Sequence, residues 1–155
     1  MASYRRPGCE PTADGVRILI AEDEPLIALS ISDLLEAEGY TVSVTSNGVE
    51  ALAEVRRLGT ELSVLVTDLN MPRMSGEDLI SALQNVRPEL PVIVVSGSAP
   101  LGGLEELRRF GGGQEPFALL HKPMNYDDLV QTLRRAVSLE VPLAAQGRIS
   151  RSYEP

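Results

Sequence analysis

Five short apolar runs alternate along this chain with stretches whose apolar residues recur at helical spacing, and that alternation restricts the fold more than any other feature. The runs are Arg17–Ala21, Thr41–Thr45, Ser63–Thr67, Pro91–Ser96 and Ala118–His121. Three of them, in RILIA, SVLVT and PVIVVS, are almost continuously apolar, as strands buried on both faces are. Between them lie Pro25–Glu38, Val49–Leu58, Glu77–Val86, a weaker Leu104–Phe110, and Tyr126–Leu139. The first of these carries a stripe of Leu26, Ile27, Ile31, Leu34 and Leu35, and the last a stripe of Leu129, Val130, Leu133, Ala136 and Val137. Pro25 suits a first helical turn, Asn47 and Asn125 suit caps, and Gly39 and Gly59 suit stops. Such alternation predicts an α/β fold: a doubly wound five-stranded parallel sheet with five helices on its two faces. The fourth helix should be short or irregular, because Gly102-Gly103 and Gly111-Gly112-Gly113 flank it and glycine costs a helix about 1 kcal/mol per residue. Ligands of open sheets of this kind bind beyond the C-terminal ends of the strands.

Composition narrows the function. At 155 residues the chain reads as one folded unit over 16–139, with flexible tails at 1–15 and 140–155. Aromatic residues are 4% and Trp is absent, so the core must be aliphatic. A net charge of −8 argues against a nucleic-acid partner and against an anionic membrane surface. No apolar stretch has the length to cross a bilayer, and the N-terminal residues lack the apolar core of a signal peptide. Cys9 is the single cysteine, which excludes an intrachain disulfide and fits a reducing, cytoplasmic setting.

The strand ends are where chemistry can sit. The first is followed by Glu22, Asp23 and Glu24, the third by Asp68 and Asn70; the fourth ends in Ser96 and the fifth in His121, Lys122 and Pro123. Singly, each has an ordinary explanation: acidic residues after a strand favour the dipole of the next helix, and a lone lysine is a surface residue. Together they are harder to dismiss. At ~4 Å and an effective dielectric of ~20, each pair of carboxylates costs about 4 kcal/mol, so the cluster calls for a cation. Hard oxygen donors favour Mg²⁺, with Mn²⁺ able to take its place, over Zn²⁺. An aspartate so placed can attack a phosphoryl donor and form an acyl phosphate, with Lys122 and Ser96 meeting the phosphoryl oxygens.

Four motifs in order, ILIAEDEPLI, VTDLNMPRMSGEDL, VIVVSG and HKP, make the chain resemble the response-regulator receiver domain of bacterial two-component signalling, over roughly Val16 to Leu139. The resemblance implies the flavodoxin-like strand order 2-1-3-4-5. It makes Asp68 the phosphoacceptor, Ser96 the switch hydroxyl and Lys122 the phosphate-contacting lysine, with a cis Lys122–Pro123 bond. Glu22 and Asp23 fall on the two acidic positions; Asp23 and Asp68 would ligate Mg²⁺ directly, and Asn70 through its backbone carbonyl. Asn70 and Ser98 would flank the path of the hydrolytic water. The implied partners are a histidine kinase or histidine phosphotransfer protein, an unidentified downstream protein, and a second copy of the chain as a homodimer. The implied role is that of a phosphoacceptor that supports its own phosphorylation and dephosphorylation, not of a turnover enzyme.

Two departures mark the output face, which the family commonly builds from the fourth strand, the fourth helix and the fifth strand. Leu119 stands where the family usually has Tyr or Phe, with Phe117 expected on the same side of the strand. The Gly-rich stretch between the fourth and fifth strands also runs a few residues longer than usual. A receiver-like adapter that binds partners without phosphorylation is therefore an alternative. An aspartyl phosphatase would need an acid two residues after Asp68, where Asn70 stands. A flavin domain is opposed by the acidic Glu22-Asp23-Glu24. Met1, and the lack of an output domain after Leu139, favour a stand-alone receiver over the receiver fragment of a hybrid histidine kinase.

Overall fold

A computed structural model describes residues 15–97, 109 and 116–140. Five parallel strands run β1 (Arg17–Ala21), β2 (Thr41–Thr45), β3 (Leu62–Thr67), β4 (Val92–Ser96) and β5 (Ala118–His121), in the order β2-β1-β3-β4-β5. Four helices are described: α1 (Pro25–Ala37), α2 (Gly48–Leu58), α3 (Gly76–Leu83) and α4 (Tyr126–Glu140). The further helix expected over Leu104–Phe110 lies outside the described residues except for Arg109, which is helical. The expected tails also lie outside them, apart from Gly15 and Glu140.

Period-two alternation divides the core. Ile18 and Ile20 of β1, Val64 and Val66 of β3 and Ile93 and Val95 of β4 face one way, packing under Ile31 and Leu35 of α1 and Leu129, Leu133 and Val137 of α4. Leu19, Ala21, Leu65 and Val94 face the other way, against Ala51 and Val55 of α2 and Leu79, Ile80 and Leu83 of α3. A sheet covered on both faces needs apolar residues on both, which explains the near-continuous runs of β1, β3 and β4.

Local signals set the helix ends. Asn47 accepts the Glu50 N–H at 2.9 Å, and Ser75 accepts the Asp78 N–H at 3.2 Å, each satisfying a free donor of a first turn. Asn125 likewise accepts the Asp127 N–H at 2.8 Å. The third helix ends at Leu83, short of Val86, because its last turn tightens: Gln84, Asn85 and Val86 donate to carbonyls three residues back.

Two expectations about side chains are corrected. Leu26 is 79% exposed and does not belong to the buried stripe of α1, which is Ala28, Ile31, Ser32 and Leu35. Leu26 precedes Ile31 by five positions, which rotates it roughly 140° around the helix. Phe117 does not share a face with Leu119: Leu119 packs toward α2 and α3, Phe117 toward α1 and α4. Phe117 sits in the bend before β5 begins, and alternation holds only inside a strand.

Gly76 is a close-approach residue. A Cβ built there would lie 2.2 Å from the Asp68 carbonyl oxygen and 2.7 Å from the Leu69 Cα, both main-chain atoms. Gly76→Ala is expected to lower the free energy of unfolding by about 3 kcal/mol, seen as a reduced urea midpoint at unchanged m. An unshifted midpoint would contradict the packing described.

Candidate functional site

The acidic rim is assembled by the two central strands. Ala21 and Thr67, the last residues of β1 and β3, are in register, and the Asp68 N–H donates to the Ala21 carbonyl at 3.0 Å. The Glu22 N–H donates to the Thr45 carbonyl at 3.0 Å, carrying the ladder into β2. Glu22 and Asp68 therefore leave adjacent strands side by side. Both are buried, at 4% and 7% exposure, whereas Asp23 and Asn70 are exposed.

Carboxylate oxygens of Glu22, Asp23 and Asp68 all lie within 4.8 Å of one another. Lys122 answers them from the end of β5. Its Nζ donates to Asp68 Oδ2 at 2.7 Å and to Glu22 Oε1 at 2.8 Å. The other oxygen of Asp68, Oδ1, accepts the Asn70 N–H at 3.1 Å. The Lys122–Pro123 peptide is cis, as the resemblance implies. Ser96 is fully buried at the end of β4, and its carbonyl accepts the Lys122 N–H at 3.1 Å. Glu24 is the N-cap residue of α1, yet its side chain makes no capping bond.

These placements set the charge states. Burial pushes the Glu22 carboxyl up to about 7, against the pull of the Lys122 hydrogen bond, with Asp68 adding to the rise. Burial acts the same way on Asp68. There, the hydrogen bonds from Lys122, Glu22 and the Asn70 N–H outweigh it and hold the carboxyl below its ordinary value. Lys122 also loses solvation, but its hydrogen bonds to Asp68 and Glu22 hold the ammonium above its ordinary range. The structure thus separates two neighbouring carboxyls: Asp68 is the ionised one, and Glu22 keeps its proton until near neutrality.

Of the site residues read from the sequence, Glu22, Asp23, Asp68, Asn70, Ser96 and Lys122 lie at this one rim. Ser98 is outside the described residues. Three neighbours escaped the sequence reading. Thr67 is fully buried, and its hydroxyl donates to the Asp68 carbonyl at 2.8 Å. Gly76 donates its N–H to the Leu69 carbonyl at 2.9 Å, and Gly48 donates its N–H to the Met74 carbonyl at 3.1 Å. The hydroxyl of Thr67 inside an apolar run was the one available signal; the glycine contacts come from distant segments and leave none.

The donor set is all oxygen and fits a hard divalent ion such as Mg²⁺ held by Asp23 and Asp68 beside Glu22. Among the described residues no helix is long and apolar enough to cross a membrane.

Comparison with known proteins agrees with the geometry. A family model for the response regulator receiver domain matches residues 18–134. The chain is similar to sensor kinase CckA of Brucella abortus, with 32% identity over 117 residues that make up 76% of this chain and 12% of the kinase. It is 33% identical over 138 residues to protein-glutamate methylesterase/protein-glutamine glutaminase 3 of Rhodospirillum rubrum, covering 88% of this chain and 36% of that protein. The chain thus spans well under two thirds of the length of either relative. Its fold is similar to the crystal structure of a response regulator receiver domain protein from Clostridium thermocellum, at a TM-score of 0.73 and 28% identity. That match covers 81% of this chain and 96% of the other.

The high value at Glu22 has a measurable consequence. Its carboxyl ordinarily titrates near 4.5 and titrates near 7 in the fold, so the folded state holds an extra proton between those values. The resulting stability is fully present below about pH 4.5 and is lost as the pH rises through about 7. In the presence of a chelator, unfolding free energy is expected to fall by ~2–3 kcal/mol more between pH 5 and pH 8 in the native protein than in Glu22→Gln. Parallel pH profiles would contradict the assignment.

Proposed function

The chain belongs to the family of response regulator receiver domains, and we propose that it accepts a phosphoryl group on Asp68 from a histidine kinase or a histidine phosphotransfer protein. The observation that carries this reading is the Lys122 ammonium, 2.7 Å from Asp68 and 2.8 Å from Glu22, at the rim where Asp23 adds a third carboxylate. The hydrogen bonds that hold the Asp68 carboxyl below its ordinary range support it as the nucleophile, because the attacking oxygen must be unprotonated.

In the step proposed, an Asp68 oxygen attacks the phosphorus of a phosphohistidine. The P–O bond to Asp68 forms as the P–N bond breaks, and the imidazole leaves with that electron pair and takes up a proton. Lys122 follows the transferred oxygens, since one ammonium carries three donors and two already serve this rim. Ser96, buried at the end of β4, would supply a hydroxyl hydrogen bond to the new group. The Asn70 N–H keeps Asp68 oriented, and the Asn70 carbonyl, with Asp23 and Asp68, would hold Mg²⁺. Bound there, the ion neutralises charge that builds on the phosphoryl oxygens.

The acyl phosphate adds roughly −1.5 to −2 charge at a buried position, and rearrangement of Ser96 and Lys122 toward it would bias the face around β4 and β5. Signalling is then by protein contacts at that face, in the cytoplasm. Leu119, packed inward, stands in place of the family's aromatic reporter, and Phe117 on the opposite side of the sheet cannot substitute for it. The protein supports its own phosphorylation and dephosphorylation and is not a turnover enzyme.

Incubation with acetyl phosphate and Mg²⁺ is expected to add one phosphoryl group per chain, and EDTA to prevent it. Asp68→Asn is expected to abolish incorporation, as read by intact-mass spectrometry. Labelling of that variant at the native rate would exclude Asp68 as the acceptor.

A further inference from the structure

The loop that carries Asp68 is held from outside by the first turn of α2. That turn is closely determined: the Asn47 side chain accepts the Glu50 N–H at 2.9 Å, while the Glu50 carboxylate accepts the Ser46 N–H at 3.3 Å and its hydroxyl at 3.1 Å. From this platform the Gly48 N–H donates to the Met74 carbonyl at 3.1 Å. Gly48 is needed for space. A Cβ there would lie 2.5 Å from the Met74 carbonyl oxygen and 2.8 Å from both Cβ and Cγ of Met74. The loop would not hold this shape unaided. The Met74 N–H donates to the Pro72 carbonyl at 2.7 Å across Arg73, whose φ is 68°, a γ-turn in a region that side chains with a Cβ rarely adopt.

We propose that Gly48 is a positioning residue for the phosphoacceptor loop, fixing Asn70 and Asp68 through the main chain of Met74; the proposal rests on the reading of Asp68 given above. The far end of the loop is already pinned, by the Gly76 N–H on the Leu69 carbonyl at 2.9 Å. A shift at Met74 has only Met71, Pro72 and Arg73 through which to dissipate before it reaches Asn70. The atom blocked is a main-chain oxygen, which cannot swing aside as a side-chain tip can. Relieving the contact moves the loop by about 0.5 Å or more, the tolerance within which a reacting constellation has to be held.

The test compares Gly48→Ala with Gly59→Ala. Gly59 ends the same helix at φ 54° with open space around its Cβ position, so its substitution strains the backbone far from the loop. Gly48→Ala is expected to raise the Mg²⁺ concentration for half-maximal labelling by acetyl phosphate about tenfold and to lower the maximal rate. Gly59→Ala is expected to lose stability in urea and to leave both quantities within about twofold of native. It should also leave the amide resonances of Asp68 and Asn70 in place, whereas Gly48→Ala moves them. Equal effects of the two variants on Mg²⁺ dependence and rate would overturn the proposal. If the native protein takes no label, the reading of Asp68 fails, and unmoved Asp68 and Asn70 resonances in Gly48→Ala would still overturn the tether. Should Gly48→Ala not fold, an ester oxygen in place of the Gly48 N–H removes the bond without adding an atom. The same resonances are then expected to move, and their constancy would overturn the proposal.

Discussion

The ammonium of Lys122, bonded at 2.7 Å to Asp68 and at 2.8 Å to Glu22, is what lets two buried acidic side chains share the rim of this sheet. Glu22 and Asp68 are neighbours because β1 and β3 are the paired inner strands, in register up to Ala21 and Thr67. Lys122 comes from β5, two strands from β3, a separation of roughly 9–10 Å at ordinary strand spacing. Only a long cationic side chain crosses that gap. Its path runs over the end of β4, where Ser96 and Gly97 are small and the Lys122 Cβ lies 3.8 Å from where a Gly97 Cβ would be. The strand order and the residue sizes at β4 are therefore part of the electrostatics of the site.

The same rim spends stability on function. Glu22, Thr67, Asp68 and Ser96 are polar and buried where apolar side chains would serve the core better. Three hydrogen bonds there come from backbone continuing out of the strands: the Asp68 N–H on Ala21, the Glu22 N–H on Thr45, the Lys122 N–H on Ser96. The ladder of the sheet thus extends one residue past its ends and aims the side chains at that point. Beyond it, Gly48 and Gly76 let two main-chain segments approach the loop after β3 more closely than any Cβ allows.

Much of this was legible in the sequence. Continuous apolar runs identified strands covered on both faces, and the polar residues ending them pointed to a single edge. The cap at Asn47 and the stop at Gly59 fell where local chemistry put them. The two misreadings are both failures of periodicity, one by helical angle and one by position. Leu26 lies in the first turn of α1 but off its buried face, and Phe117 precedes the strand whose alternation would have placed it. The charge states of Glu22 and Asp68 were not legible at all. Both are acidic side chains buried to a similar depth beside one lysine, and the Asn70 N–H, which reaches only Asp68, tells them apart. The contact between Gly48 and Met74 joins segments that no local pattern connects.

Which carboxylate takes the phosphoryl group decides the chemistry of this rim. Acyl phosphates are reduced by borohydride to the corresponding alcohol, so a protein treated with acetyl phosphate and Mg²⁺ and then with borohydride carries a permanent mark at the reacting side chain. Peptide sequencing by mass spectrometry is expected to find homoserine at position 68 and unchanged residues at positions 22 and 23. A mark at Glu22 or Asp23, with Asp68 intact, would contradict the central claim.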